Sequence, residues 1–331
     1  MQYAEYEGLI AGAMQNTFMV FGVNGVGAPF TGTMAPTTIT ASVATSGASI
    51  FSNLQLGQWF KLIAPTDANN GKLFRVSTTV APSATVITLD ASTPASVAAS
   101  IANCTVASAR IVNGNTQASF SLEKQFLDVV QFLSYRGMTV GKMNLNLASA
   151  ALVDGSFEFM GKDVQRGIVT KLPGTPVASY SYDIQNAVRG IGNLWEAGVP
   201  LTSTFIKSMT IDVNNNLRGQ KAIANLGNVG IGAGGVDITG NVDIYFADGA
   251  IYDKCLADTY TSLIVSIQDA AGNGYVFTLP RVLLMSGKVV ASGENQDVLV
   301  NFTYSCFSDD NNATAALKKT IFIDRVGVAV T

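Results

Sequence analysis

The stretch Val236–Phe246 reads VDITGNVDIYF, and it decides the fold. In an extended chain Val236, Ile238, Gly240, Val242, Ile244 and Phe246 share one face, and Asp237, Thr239, Asn241, Asp243 and Tyr245 share the other. Strict period-two alternation marks a strand with one dry face and one wet face. Working outward, Phe205–Val213 repeats the pattern through Met209, Ile211 and Val213, as do Met143–Leu147 and Gly155–Met160. Leu263–Gln268 and Tyr275–Leu284 flank the turn sequence DAAGNG at 269–274, a strong hairpin signal. Pro280 removes a ladder donor, so the second of these strands is expected to lie near an edge or to bulge there. Val298–Phe307 and Thr320–Asp324 complete the C-terminal strands. Helix signals are few. Asp248–Ala257 opens with a capping aspartate and spaces Ile251, Cys255 and Leu256 helically. Phe126–Leu133 reads as a second, shorter helix.

Composition narrows the function class. The 331 residues suit two domains. Hydrophobic residues make up 48% and charged residues only 13%, against about 25% in an ordinary soluble domain. Such a surplus of uncharged surface fits a membrane protein or a subunit covered by copies of itself. The most apolar stretch, Leu9–Val23, is broken by Gln15, Asn16 and glycines and falls short of the roughly 20 residues a spanning helix needs. The first basic residue is Lys61, so the charged n-region of a signal peptide is missing, and an exported barrel is not expected either. A net charge of −3 offers no basic surface for gripping nucleic acid.

There is no histidine, which removes the usual general acid–base near neutral pH and every His-dependent triad or zinc site. Cys104, Cys255 and Cys306 lie far apart with no metal-ligand spacing, and read as reduced thiols. Asp309-Asp310, followed by Asn311 and Asn312, reads as a solvated turn. Gly227–Gly235 (GNVGIGAGG) lacks the Lys-Ser/Thr of a phosphate loop. No catalytic, cofactor or metal site is expected.

Composition shifts at about Thr33. Residues 33–112 are rich in Ala, Ser and Thr and carry short strands at Trp59–Leu62, Leu73–Val76 and Val86–Leu89, with a turn at Asn69–Gly71. They read as a small β module inserted into a larger β framework. Residues 1–32 with 113–200 then form a first β unit with an N-terminal arm, and 201–331 form a second. A weak repeat links them: Met143–Leu147 followed by Gly155–Phe159 parallels Met209–Val213 followed by Gly240–Ile244. Two unrelated hairpins would look the same.

The segments Ser119–Phe126, Phe132–Gly137, Gly155–Asp163, Asn215–Gly219, Asp248–Lys254, Asn273–Arg281 and Asn295–Asp297 together resemble phage tail tube (major tail) proteins, in order and over most of the chain. The inserted module resembles the extra β module many of them carry. The resemblance implies a mainly β tail-tube sandwich or barrel with short flanking helices, as one or two units, assembled into stacked rings. It implies a structural, non-enzymatic virion protein, assembled in the host cytoplasm, whose hollow tube conducts DNA without binding it. Its partners would be itself, the tape measure protein, the tail terminator and the tail-tip proteins, with no membrane. The wet faces would line the lumen, making Asn144, Asn146, Glu158, Thr210, Asp212, Asp237 and Asp243 lumen candidates. The glycine-rich loop from Asn214 to Gly235 would contact neighbouring rings through Asn214, Asn215, Asn216, Arg218, Asn228, Val229 and Ile231. Residues 164–200 and the N-terminal arm are further contact candidates. One unit per chain calls for a hexameric ring, and two call for a trimer. A tail-associated carbohydrate-binding adhesin is the alternative class.

Overall fold

The computed structural model describes the chain apart from residues 1–3, 24, 45–49, 150, 173–177, 179–183, 186–190, 197, 201–205, 247–248, 292, 295 and 328–331. Helix α1 (Glu7–Met14) is followed by strand β1 (Met19–Val20). Then come β2 (Phe30–Ala35), β3 (Thr38–Ala44), β4 (Trp59–Ile63), β5 (Leu73–Arg75), β6 (Val86–Thr88) and β7 (Ala98–Ala107). Next are β8 (Ala109–Val112), β9 (Phe120–Phe126), β10 (Gln131–Ala148), β11 (Asp154–Met160), β12 (Asp163–Gly167), β13 (Ile191–Glu196) and β14 (Val199–Pro200). Strands β15 (Ile206–Asn214), β16 (Arg218–Gln220), β17 (Gly230–Gly232) and β18 (Asp237–Tyr245) lead to α2 (Ala250–Leu256). The chain ends with β19 (Thr261–Gln268), β20 (Gly274–Ala291), β21 (Val298–Cys306) and β22 (Phe322–Val326).

The protein is mainly β, and its strands stack in three layers. The first layer runs β20-β21-β18-β15-β10-β11, all antiparallel. The second holds β13, β19, β22, β8 and β1 around the first half of β20. Strand β20 therefore belongs to both, bending where Pro280 falls at a register shift against β19 and again near Ser286, which sits at φ 52°. The main core fills the space between these layers: Met143, Leu145, Ile211, Val242 and Phe302 from one, Ile111, Val265, Phe277, Leu279 and Ile323 from the other. Helix α1 plugs one side of this core with Ile10, Ala13 and Met14. Among the described residues no helix is long and apolar enough to cross a membrane.

The third layer is the sheet β5-β4-β7-β2-β3-β6, with its own core around Phe30, Phe51, Phe60 and Phe74. It covers the outer face of the second layer. Period-two alternation requires this: Val265 and Phe277 point to the main core, so Ile264 and Val276 point the other way, where they meet Trp59 and Trp195. The two indole centroids lie 4.7 Å apart with the rings tilted by 50°. Beside them lies a buried ion pair. Asp324 accepts hydrogen bonds from Arg110 Nε (2.6 Å), from its terminal nitrogen (2.7 Å) and from the Trp59 backbone N–H (3.0 Å). The same guanidinium donates to the Leu56 and Gly57 carbonyls. Arg110 and Asp324 come from the second layer, and their other partners from the third.

Two local expectations change. Residues 126–133 are not a helix but the tip of the β9–β10 hairpin, with Gln131 opposite Phe126 and Val130 at φ 50°. Phe126, Val129, Val130 and Phe132 favour extended backbone, and Leu127, Val129 and Val130 stand exposed, with no core for a helix to cover. The loop from Asn214 to Gly235 is not irregular throughout: β16 and β17 pair within it. Helix α2 lies within the other expected helical segment, Asp248–Ala257, but Asp248 itself is outside the described residues, as is Phe205.

Candidate functional site

The first layer presents its wet face to solvent. Its rows can be read across the strands from the pairing register. Asn144 stands between Ser156 and Asp212, and Asp212 faces Thr239, which faces Ser305. One row on, Asp154, Asn146 and Thr210 align, and Asn241 faces Thr303. The backbone N–H of Asn241 donates to Thr210 Oγ1 at 3.0 Å, which joins the two halves of that row. A third row holds Ser208, Asp243, Asn301 and Lys288. A fourth holds Glu158, Lys142, Asn214 and Asp237. All seven residues expected on the wet face thus lie on one continuous polar surface, opposite the core.

Hydrogen bonds hold its side chains in place. Asn144 Nδ2 donates to Asp212 at 2.5 Å, Ser208 Oγ to Asp243 at 2.6 Å, and Asn216 Nδ2 to Asp237 at 2.7 Å. Asn301 Nδ2 is a second donor to Asp243. These donors are neutral, so they orient the carboxylates without cancelling their charge. Lys142 and Glu158 pair at 3.1 Å in the open, which neutralises them locally and adds little stability. The four rows carry five carboxylates against two ammonium groups. Directly beneath, Tyr304 covers Gly240 and donates to the Thr210 carbonyl at 2.6 Å. Burial pushes its hydroxyl well above the ordinary tyrosine range.

The polar residues of β21, namely Asn301, Thr303 and Ser305, and the amines Lys142 and Lys288 also belong to this face and were not among the expected site residues. The signal for β21 was present, because Val298–Cys306 alternates as cleanly as Val236–Phe246. Among the described residues no three His, Cys, Asp or Glu side chains group closely enough to hold a metal ion.

A wet face backed by a dry core suits a wall as well as any β-sandwich, so likeness to known proteins decides the family. A model of the phage tail tube protein family matches residues 7–306. The chain belongs to that family. No curated protein matches it. As a tail tube protein it is a structural component of the phage tail.

The glycine-rich loop of this tail tube protein, residues 215–235, is an arm that leaves the sheet after Asn214, which itself lies in β15 on the polar face rather than in the loop. Asn215 is buried, and its Nδ2 donates to the Ala13 and Val140 carbonyls at 2.8 and 3.1 Å. It ties the arm's root to α1 and does not face outward, which corrects its place among the contact candidates. Asn216 bonds to Asp237 and to the Gly235 carbonyl, closing the same root. Arg218 and Ile231 sit in the β16–β17 ladder. Asn228 bonds back to the Gly161 carbonyl at 2.8 Å, pinning the arm along β11 and β12. What the arm leaves fully exposed is Ile223 and Leu226, with Val229 half exposed nearby. A second projection is the ribbon β9-β10-β12, whose strands carry exposed residues on both faces and whose tip is apolar.

Proposed function

We propose that the chain polymerises into stacked rings, and that its polar face lines the lumen through which phage DNA leaves. The observation that carries this reading is the four-row polar face, which lies on the side of the molecule away from the third layer. Turned inward, it would present oriented carboxylates to DNA, so that phosphates are repelled at short range and the duplex slides. The small β module would then lie on the outside, where it cannot block the bore. The outer edge of β11 would be paired by a neighbouring chain, as an unprotected strand edge requires. The β9-β10-β12 ribbon and the arm tip would find their cover in neighbouring subunits and rings.

We read the chain as two tube units. Strands β9, β10 and β11 have 7, 18 and 7 residues, and β19, β20 and β21 have 8, 18 and 9. Each middle strand bends near its centre, β10 at Gly137 (φ 62°) and β20 near Ser286. A helix precedes each set, α1 and α2. This pairing differs from the hairpin repeat seen in the sequence, and it favours a ring of three chains with pseudo-sixfold symmetry.

Negative-stain images of concentrated protein test the reading, with tubes expected and only globular particles counting against it. Native mass spectrometry of single rings should give three chains per ring, and six would overturn the two-unit reading alone. Ile223→Asp with Leu226→Asp should leave a folded subunit that no longer lengthens into tubes. These tip substitutions are cleaner than deleting residues 214–235, which would also remove the buried Asn215.

A further inference from the structure

The base of the β9-β10-β12 ribbon and the arm enclose a cleft of about 400 Å³. Tyr135, Met138, Val164 and Leu226 give it apolar walls, and Lys162 and Lys221 stand beside them. All six side chains are at least partly open to solvent, and both amines are exposed. The carboxylate in the lining, Asp163, is paired with Arg136, so the two amines leave the cleft net positive.

The opposite end of the first layer carries the complement. Strand β18, about 30 Å long, starts at the arm's root and ends at Tyr245, and α2 follows. The helix is seated there: Tyr252 meets Phe246 edge-on and, with Cys255, closes over Gly287 of β20. Its last residue, Leu256, is 68% exposed. Asp253 stands three positions earlier on the same helix face. Asp258 follows in a tight turn, its N–H returning to the Cys255 carbonyl. Both carboxylates are exposed, while Lys254 between them is taken by Glu196 at 2.5 Å. The result is an apolar knob flanked by two negative charges.

We infer that the cleft receives the Leu256 turn of a second copy of this chain, in the next ring. The inference rests on the proposed polymerisation and names the contact that carries it from ring to ring. Leu256 enters between Tyr135, Met138 and Val164, and Leu226 closes over it, so apolar surface that the single chain leaves wet is buried on both sides. Asp253 and Asp258 come to the amines of Lys162 and Lys221, opposite charge against opposite charge. Knob and cleft lie at opposite ends of one molecule. Repeated in one orientation, the contact always leaves a free cleft at one end and a free knob at the other, which is what an open-ended polymer with a direction requires.

The test uses two full-length charge-reversed variants, Lys162→Glu with Lys221→Glu and Asp253→Lys with Asp258→Lys. Every substituted side chain is exposed, so both should fold, which circular dichroism checks. Lengthening is followed by sedimentation and negative-stain imaging. Each variant alone should still close into rings but need about tenfold more protein than wild type to form tubes, because like charges then face each other across the contact. Mixed in equal amounts, the two should lengthen near the wild-type threshold, since each reversed cleft meets a reversed knob. Leu256→Ala should raise the threshold at every salt concentration, whereas the charge effects fade as salt rises. Tubes from either reversed variant at the wild-type threshold, loss of the rings themselves, no restoration when folded variants are mixed, or an unchanged threshold in Leu256→Ala would each overturn the contact, while wild-type tubes leave the polymer reading standing. Wild-type protein that never lengthens would overturn both.

Discussion

Replacing Asp324 with alanine leaves the Arg110 guanidinium buried without its counter-charge. The two side chains are 0% and 2% exposed, so water cannot take over the role. Breaking a buried pair by removing one partner costs about 3–5 kcal/mol. Arg110 keeps the Leu56 and Gly57 carbonyls, which argues for the lower end, about 3 kcal/mol. Asp324 also accepts the Trp59 backbone N–H, and orphaning that donor adds about 1–3 kcal/mol. The sum, about 4–6 kcal/mol, is a large part of the roughly 5–15 kcal/mol that holds a domain folded. Urea unfolding followed by tryptophan emission measures it well, because Trp59 and Trp195 sit at the joint that fails. Asp324→Asn separates the contributions. It removes the charge but keeps an acceptor for Trp59, so its cost should lie between wild type and Asp324→Ala. A loss below about 1 kcal/mol in the alanine variant would refute the idea that this pair clamps the third layer to the second.

Other outcomes follow from the same geometry. Gly240→Ala would place a Cβ 2.0 Å from the Thr210 carbonyl oxygen and 2.6 Å from the Tyr304 hydroxyl. Overpacking of this kind costs about 1–3 kcal/mol, and here backbone must move, so the variant should unfold at clearly lower urea than wild type. Burial pushes the Cys306 thiol up to about 12 from its ordinary 9.0, and Tyr304 also rises. Both groups are neutral in the folded protein at a pH where the unfolded chain would ionise. Their contribution is therefore complete below pH 9.0 and drains away as pH climbs toward about 12, which urea midpoints across that range should show as a steady fall. Substituting Asp212, Asp237 and Asp243 together with lysine reverses the charge of the polar face. Assembled tubes of this variant should retain duplex DNA, with affinity falling steeply as salt rises, by about 0.9 in log–log slope per phosphate neutralised. Tubes that shed DNA as freely as wild type in a filter-retention assay would place the face elsewhere than the lumen.

The wet face was legible because alternation survives wherever a strand has one side on a core, as in β15, β18, β21 and the second half of β10. Residues such as Asp212 and Asp243 could be assigned to it from spacing alone. The rest depended on contacts that spacing does not encode. Helix α1 passed unnoticed because its glycines and alanines blur any stripe, although Ile10, Ala13 and Met14 stand at helical intervals. The β9–β10 tip looked helical because its apolar residues cluster, and only the absence of a core beneath it shows otherwise. Asn215 looked like a surface loop residue until α1 and β10 closed over it. The Arg110–Asp324 clamp joins positions 214 residues apart, and no local pattern announces so distant a partner.

The third layer enters and leaves the chain through a single seam. Gly27 N–H bonds to the Val106 carbonyl, and Ser108 N–H bonds to the Gly25 carbonyl, both at 2.8 Å, so the segments before β2 and after β7 lie side by side. In genetic terms the module is a parenthesis: its two ends meet, and the text around it reads on without it. Recombination at that seam would add, drop or exchange the third layer while the strands of the other two stay unaltered. The constraint on any newcomer is chemical, since it must offer acceptors for Arg110 and an apolar cover for Trp195.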